Sequence, residues 1–339
     1  MPDTKKIISN ISNALRYNLN LNSEDSFVVI AHDNSSEEIA KYIERSAKSL
    51  NINYSRICFG NSRPYKKEIV PSIIDKIENI DPDAVIRLFN YENYNGYEIK
   101  ELDMRIAWFD NVKSKWKYAH APGITLKMME SGAMSADFSA MNSFSNYIIN
   151  NKLKDIRKFH ITSSEGTDYW IIVDDLKPQT DCPINSDGGN WPPGEIWYEK
   201  PMENNEMMPL KGYGKIVCNV SVGNICQKID KNKPIIVEVN EENQIENIIY
   251  GEPKFEKLNE ALFGNNEKAF TQELGLPINF KANITGNMLE DEKKAGTAHI
   301  ALGLKNTHVD FLMWKPTIVG YNSNEDEIVI MNRGVYDFS

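Results

Sequence analysis

Cysteine is scarce in this 339-residue chain: there are four, Cys58, Cys182, Cys218 and Cys226, and none stands in a CxxC pair. Zinc knuckles and dithiol redox centres are therefore poor readings, and buried free thiols in a reducing cytoplasm are the expectation. Long apolar runs are missing too, since none approaches the roughly 20 residues that span a bilayer. The opening stretch, Met1-Pro2-Asp3-Thr4-Lys5-Lys6, leads into an amphipathic segment instead of an apolar signal core. Positive charge is in deficit, with 38 Lys and Arg against 48 Asp and Glu and a net charge of −10. That balance disfavours nucleic acid and anionic membranes as partners and permits a cationic ligand. Familiar catalytic signatures are absent as well. There is no P-loop, no GxSxG elbow, no HExxH, and the segment Ala31-His32-Asp33-Asn34-Ser35 after the first apolar run is no GxGxxG. A cytoplasmic protein, with room for a cationic ligand or metal, is the expectation these features leave.

What is present is ample for a core: 41% of residues are hydrophobic and 10% aromatic. The length exceeds a usual single domain, so two domains are expected. The first part alternates. Apolar Ile7, Ile8, Ile11, Leu15 and Leu19 have helical spacing, and Ser26–Ala31 is a short β-branched run that reads as a buried strand. Ser35-Ser36-Glu37-Glu38 opens a helix reaching Leu50, followed by a strand over Tyr54–Phe59, a helix over Lys66–Ile80 and a strand over Ala84–Phe89. A helix from Glu101 to about Trp116 completes the layer. From Tyr118 onward short strands and turns dominate, with a hairpin over Ile156–Val173 and strands over Gly214–Val220, Pro234–Val239, Gln244–Tyr250 and Thr307–Trp314. A helix over Lys254–Leu262 interrupts them. The expected fold class is α/β: an N-terminal parallel α/β domain (residues 1–118), then a strand-rich α+β metal-binding domain (residues 119–339).

Five histidines occur in the chain, and two of them fall within a dozen residues of Asp310. On a strand, residues two apart project to one face, so His308 and Asp310 point together. An imidazole beside a carboxylate suits a borderline divalent metal, and a plain His–Asp hydrogen bond is the competing explanation. His299 stands nine residues earlier among small residues, Ala295-Gly296-Thr297-Ala298-His299-Ile300-Ala301, as a crowded buried site requires. Glu195 follows the turn-rich Gly188-Gly189-Asn190-Trp191-Pro192-Pro193-Gly194, a loop stiff enough to aim a carboxylate. Glu273 lies in Phe270-Thr271-Gln272-Glu273-Leu274-Gly275-Leu276-Pro277, flanked by apolar, Gly and Pro residues, and an acid turned inward there needs a partner. Trp191, Trp197, Tyr198, Met313 and Trp314 are candidates for an apolar lining, or else for core. His32 and Asp33 read more simply as a polar loop.

Taken together these segments resemble the aminopeptidase T/AmpS/PepS family of metallopeptidases over about Lys117 to Asn332. The resemblance rests on His160-Ile161-Thr162-Ser163-Ser164-Glu165-Gly166-Thr167-Asp168, on Asn190-Trp191-Pro192-Pro193-Gly194-Glu195, and on Glu273-Leu274-Gly275. It continues through Asn287-Met288-Leu289-Glu290-Asp291-Glu292, His299-Ile300-Ala301-Leu302-Gly303 and the closing His308-Val309-Asp310. It implies metal ligation by Glu195, Glu273, His299, His308 and Asp310, with Glu292 as a further ligand or the general base. It also implies a homodimer. In such enzymes two divalent ions, zinc, manganese or cobalt, share a water that attacks a peptide bond. The chain departs from the aminopeptidases in carrying Asn306 where they carry tyrosine, in a longer Glu292–His299 spacing, and in a very short connection from His299 to His308. A short relative, 2,5-dihydroxypyridine dioxygenase, is similar too. It binds one Fe(II) through two histidines and a carboxylate, roles that His299, His308 and Asp310 match. The expectation is a metal-dependent hydrolase, with a non-haem Fe(II) oxygenase of a small aromatic substrate as the alternative and a non-catalytic scaffold third.

Overall fold

The run Phe27-Val28-Val29-Ile30 is fully buried, which requires cover on both faces and hence suits a parallel sheet. In the computed structural model, which describes residues 2–31, 34–58, 70–89, 115–186, 188–204, 206–223, 227–264 and 267–338, that is its setting. Strands Asn53–Cys58, Ser26–Ala31, Ala84–Phe89 and Lys117–Pro122 lie side by side in that order, all parallel, with Gly189–Asn190 beside the last. Helices Asn34–Leu50 and Val70–Ile80 make the crossovers. The apolar stripe Val70, Ile73, Ile74 and Ile77 packs with Val28, Ile30, Ile57 and Val85 into one core cluster. The first helix, Thr4–Asn13, is capped by the Asp3 carboxylate, which accepts from the backbone N–H groups of Lys5 and Lys6. Its expected continuation to residue 19 is a π-helical turn, Ala14–Asn18. The expected helix over 101–116 falls mainly in 101–114, outside the described residues, as do His32 and Asp33.

The chain divides into two compact units. Met1–Ser143, Thr180–Gly194 and Asn279–Asn283 form the first; Phe144–Gln179, Glu195–Ile278 and Ile284–Ser339 form the second. The second is strand-rich and antiparallel. One of its sheets runs Ile245–Ile249, Ile235–Val239, Lys211–Cys218, Asp168–Ile172, Ile156–Thr162, Thr317–Asn322, Glu327–Asn332, Val335–Tyr336. The hairpin expected over 156–173 sits at its centre. Another includes, in order, Gln227–Lys228, Ser221–Val222, Val309–Trp314, Thr297–Gly303, Phe270–Pro277 and Glu195–Glu199, and Phe263–Gly264 pairs with Glu267–Lys268 in a small sheet of its own. A buried hydrogen bond of 2.7 Å between the Tyr169 and Thr271 hydroxyls ties the two larger sheets together. An α/β protein with a parallel sheet and strand-rich antiparallel sheets is the fold class the sequence leads to.

Three local expectations change. Residues 253–262 form a 3-10 segment, Pro253–Leu258, and a single α-turn, Asn259–Leu262, in place of one helix. Strands Phe270–Pro277 and Thr297–Gly303 were not expected at all. The second is buried at every position, so it shows no alternation, and its Ala and Gly residues carry little β preference. Of the described cysteines, Cys182 and Cys218 are buried as expected, but Cys58 is exposed. No helix among the described residues is long and apolar enough to cross a membrane.

Candidate metal centre

Four neighbouring strands of the second unit set the positions of the candidate residues. Phe270–Pro277 pairs with Glu195–Glu199 on one side and Thr297–Gly303 on the other, and the latter pairs with Val309–Trp314. The register opposes Pro277 to Glu195, Gly275 to both Trp197 and His299, Glu273 to Ala301, and Ala301 to Asp310. Opposed residues share a face, and faces alternate along each strand. Glu195, Glu273, His299 and Asp310 therefore share one face of this sheet, together with Trp197 and Trp314. Tyr198 and Met313 fall on the other face and are wholly buried. His308 stands one residue before its strand and keeps step with Asp310, its Nε2 lying 3.1 Å from Asp310 Oδ1.

Space for this cluster comes from what is missing at its centre. A Cβ on Gly275 would overlap Cε1 and Nε2 of His299 and lie 2.5 Å from Glu195 Oε1. Glycine is thus required where imidazole and carboxylate cross above the strand. A Cβ on Gly223 would come within 2.8 Å of the Asp310 backbone nitrogen and 3.1 Å of its Oδ2.

The side chains converge closely. Glu195 Oε1 is 2.8 Å and Glu273 Oε1 3.1 Å from His299 Nε2, while Glu273 Oε2 lies 3.8 Å from His308 Nε2. Each Glu273 oxygen thus faces a different histidine. Two three-donor groups result, Glu195/Glu273/His299 and Glu273/His308/Asp310, with the ligand atoms of each within 4.8 Å of one another. Burial is deep: His299 is 1% exposed, Glu195 4% and Asp310 7%.

Burial on its own would raise the Glu195 carboxyl pKa, but Lys293 and His299 beside it hold it below the usual carboxylate value. Asp310 follows the same logic, with His308 outweighing burial to lower it. For His299 burial acts to lower the pKa, and the Glu195 carboxylate overrides it, raising the imidazole well above its ordinary value. Glu292 goes the other way. Burial pushes its carboxyl up to about 7; Lys293 opposes the shift, and Glu195 and Asp310 reinforce it.

Two polar residues essential to this geometry escaped the sequence reading. Lys293 is 1% exposed, and its ammonium pairs with Glu195 Oε2 and, at 3.1 Å, with Glu292 Oε1. Within the charged run Glu290-Asp291-Glu292-Lys293-Lys294 it looks like a solvated surface residue. It is delivered inward by the short α-turn Met288–Asp291, capped by the Asn287 side chain. The buried Asp291 carboxylate fastens that turn by accepting from the backbone N–H groups of Thr285 (2.6 Å) and Gly286 (2.9 Å). The second is Gln272, fully buried at a bulge in its strand. Its Nε2 donates to Leu304 O (2.7 Å) and Thr307 O (2.9 Å), so Oε1 must face His308 Nδ1, 3.1 Å away. That assigns a hydrogen to Nδ1 and aims Nε2 at the carboxylates. Its position beside Glu273 is the one clue the sequence offered.

A divalent cation fits these residues. Oxygens of Glu195 and Glu273 both crowd one imidazole nitrogen, more acceptors than that N–H can serve, and a cation among them would compensate the surplus. The other ring nitrogen, His299 Nδ1, is buried without a hydrogen-bond partner among the described residues. Two imidazoles with three carboxylates form a donor set for borderline divalent ions.

No protein-family model matches the chain, and no curated protein matches its sequence. Solved structures do. The 2,5-dihydroxypyridine dioxygenase from Pseudomonas putida KT2440 superimposes with a TM-score of 0.67 at 11% identity, covering 99% of this chain and 98% of that one. Wild-type AmpT from Thermus thermophilus, an aminopeptidase T, gives 0.64 at 12% identity, covering 98% and 99%. The likeness is one of fold. It extends over nearly the whole length of all three chains, so the short connections of this protein are accommodated within a common architecture.

Replacing Gly275 with alanine is expected to expel the His299 ring from its place, costing about 1–3 kcal/mol of stability and lowering bound metal to below half of wild type. Urea unfolding and elemental analysis of the metal-loaded protein measure both. Gln272→Leu is expected to weaken metal affinity by roughly 10–100-fold, the usual effect of losing a residue that orients a ligating histidine. Chelator competition reads that change, and an unaltered affinity would deny Gln272 the orienting role.

Proposed function

We propose that this protein is a metal-dependent hydrolase, resembling the aminopeptidases, in which a metal-activated water attacks a peptide or amide bond. The convergence of five donor side chains in two groups that share Glu273 supports this reading. A divalent metal bound there, zinc, manganese or cobalt, supplies a polarised carbonyl oxygen and a water acidified toward neutrality. Glu195, Glu273, His299, His308 and Asp310 are the residues that hold it. Glu292 takes the proton from the water and returns it to the leaving amine. A carboxyl near pH 7 is poised for that exchange, because the most effective base has a pKa close to the working pH. Lys293 fixes the Glu292 carboxylate in place, with Nζ 3.1 Å from Oε1. Trp197 and Trp314, sharing the face of the ligands, offer apolar surface to a substrate side chain.

One observation favours a second reading. The Lys293–Glu195 ion pair already neutralises one carboxylate, so His299, His308 and Asp310 can act as a 2-His-1-carboxylate set for a single Fe(II). In that case the protein is an oxygenase of a small aromatic substrate.

His308→Ala and Asp310→Ala are each expected to abolish stoichiometric metal binding while leaving circular dichroism unchanged. Wild-type metal content in either variant would remove those residues from the centre. The two reactions separate by oxygen uptake. Protein loaded anaerobically with Fe(II) and given hydroxylated aromatic acids is expected to consume no oxygen, whereas the zinc, manganese or cobalt form cleaves peptide amides. Substrate-dependent uptake that disappears in His299→Ala would establish the oxygenase instead.

A further inference from the structure

The strand that carries Glu273 is irregular one residue before it. Thr271 stands opposite Leu302 and Glu273 opposite Ala301, so Gln272 between them is an extra residue, a bulge. The site depends on that insertion. In a regular ladder Gln272 would oppose Ala301, Glu273 would turn to the other face opposite Ile300, and Leu274 would meet His299. With the bulge, Glu273 faces the other candidate ligands, and Gly275 lies opposite the imidazole for which it leaves room. Glu273 belongs to both donor groups, so a shift here takes a ligand from each.

A bulge gives up a regular ladder position, and other bonds must hold it. Strand Glu195–Glu199 pairs with this one only as far as Glu273. Beyond that point Thr271, fully buried, is bonded at three places. Its N–H donates to Asn243 Oδ1 (3.1 Å), its carbonyl accepts from Leu210 N (2.8 Å), and its hydroxyl meets that of Tyr169. Asn243 closes the frame. The same Oδ1 accepts from Gly212 N at 3.2 Å, and its Nδ2 donates to Leu210 O at 2.6 Å. Gly212 leaves the space this needs, since a Cβ there would lie 2.5 Å from Thr271 Oγ1 and 2.7 Å from the Tyr169 hydroxyl. Asn243 itself comes from the turn Asn240-Glu241-Glu242-Asn243, whose two acids are exposed. Its φ of 62° is a left-handed conformation that asparagine adopts more readily than most residues.

We propose that Asn243 is a positioning residue of the metal centre. Its amide bonds go to backbone groups and not to the ligands, and it acts through Thr271. Pinning Thr271 fixes where the bulge begins, and the bulge sets Glu273 and Gly275 in register with His299. This rests on the reading of the cluster as a metal centre. The coupling runs both ways, so a metal held by Glu273 must in turn steady the bulge and the bonds that pin it.

The test uses full-length protein stripped with chelator and titrated with Co(II). Asn243→Gly keeps the left-handed backbone and removes the amide. It is expected to weaken Co(II) binding by about tenfold or more in chelator competition and to change the visible d–d bands, because Glu273 leaves the coordination sphere. Asn240→Gly is the control. It removes a bond of the same turn, Asn240 Oδ1 to Gln244 N at 3.0 Å, and is expected to leave affinity and spectrum as in wild type. Should Asn243→Gly fail to fold, amide exchange in wild type decides the matter. Metal is expected to slow exchange of the Thr271 amide about tenfold more than that of Val217, a buried amide held by a different side chain, Thr167 Oγ1. A loss of affinity below tenfold in a folded Asn243→Gly, an equal loss in Asn240→Gly, or equal slowing of Thr271 and Val217 would each overturn the proposal. Absence of Co(II) binding in wild type would refute the metal centre itself, a separate result.

Discussion

The burial of negative charge is the constraint around which the second unit is arranged. Glu195, Glu273 and Asp310 crowd one face of a largely apolar sheet, and Glu292 is joined to Glu195 through Lys293. Taking a carboxylate out of water costs several kcal/mol unless a cation or hydrogen bonds replace the lost hydration. Everything near these acids supplies that replacement. Two imidazoles and an ammonium lie among them, Gln272 locks one imidazole, and the glycine at 275 lets another approach a carboxylate directly. The strand register is what brings these partners into contact. A slip of one residue would turn His299 or Asp310 to the opposite face and leave the remaining acids uncompensated.

Much of this was legible in the sequence, for reasons that can be stated. The two-residue spacing of His308 and Asp310 is a local geometric fact of extended chain, and the structure keeps their side chains 3.1 Å apart. The loop before Glu195 is as fixed as its Pro and Gly content implied. Its Gly194 N–H is held by Asp181 Oδ1 at 2.8 Å, and Pro193 O accepts from Asn279 Nδ2 at 3.0 Å. The strand at 297–303 was not legible, because a strand buried on both faces has no polar alternation to reveal it. Gly275 figures in the sequence only as a flank of Glu273, whereas it is a mid-strand vacancy opposite His299. Lys293 was hidden by its neighbours, since a lysine in a charged run is usually solvated. Only the tertiary arrangement shows that one of those charges faces inward.

The short connection between the two histidines, a departure from the aminopeptidases in the sequence, has a physical basis. Gly303 lies against the Thr307 backbone, where a side chain would collide with the carbonyl. Thr307 Oγ1 accepts from Leu304 N at 2.8 Å and donates to Ala261 O at 2.6 Å. The turn is thus closed by its own threonine and held from beneath by Gln272. His308 emerges from it already aimed. Asn306, at the position where the aminopeptidases carry a tyrosine, is exposed on this turn.

The same concern for compensation governs the charged turn that precedes the strand of His299. Lys293 is a buried ammonium that pairs with Glu195 and Glu292, two carboxylates that would otherwise lie out of water with less compensation. Its placement against Glu195 and Glu292 ties it to the acid whose carboxyl burial pushes up to about 7, Glu292. The glutamates and the lysine are therefore not independent features. Keeping Glu195 buried calls for Lys293, and keeping Lys293 buried calls for Glu195.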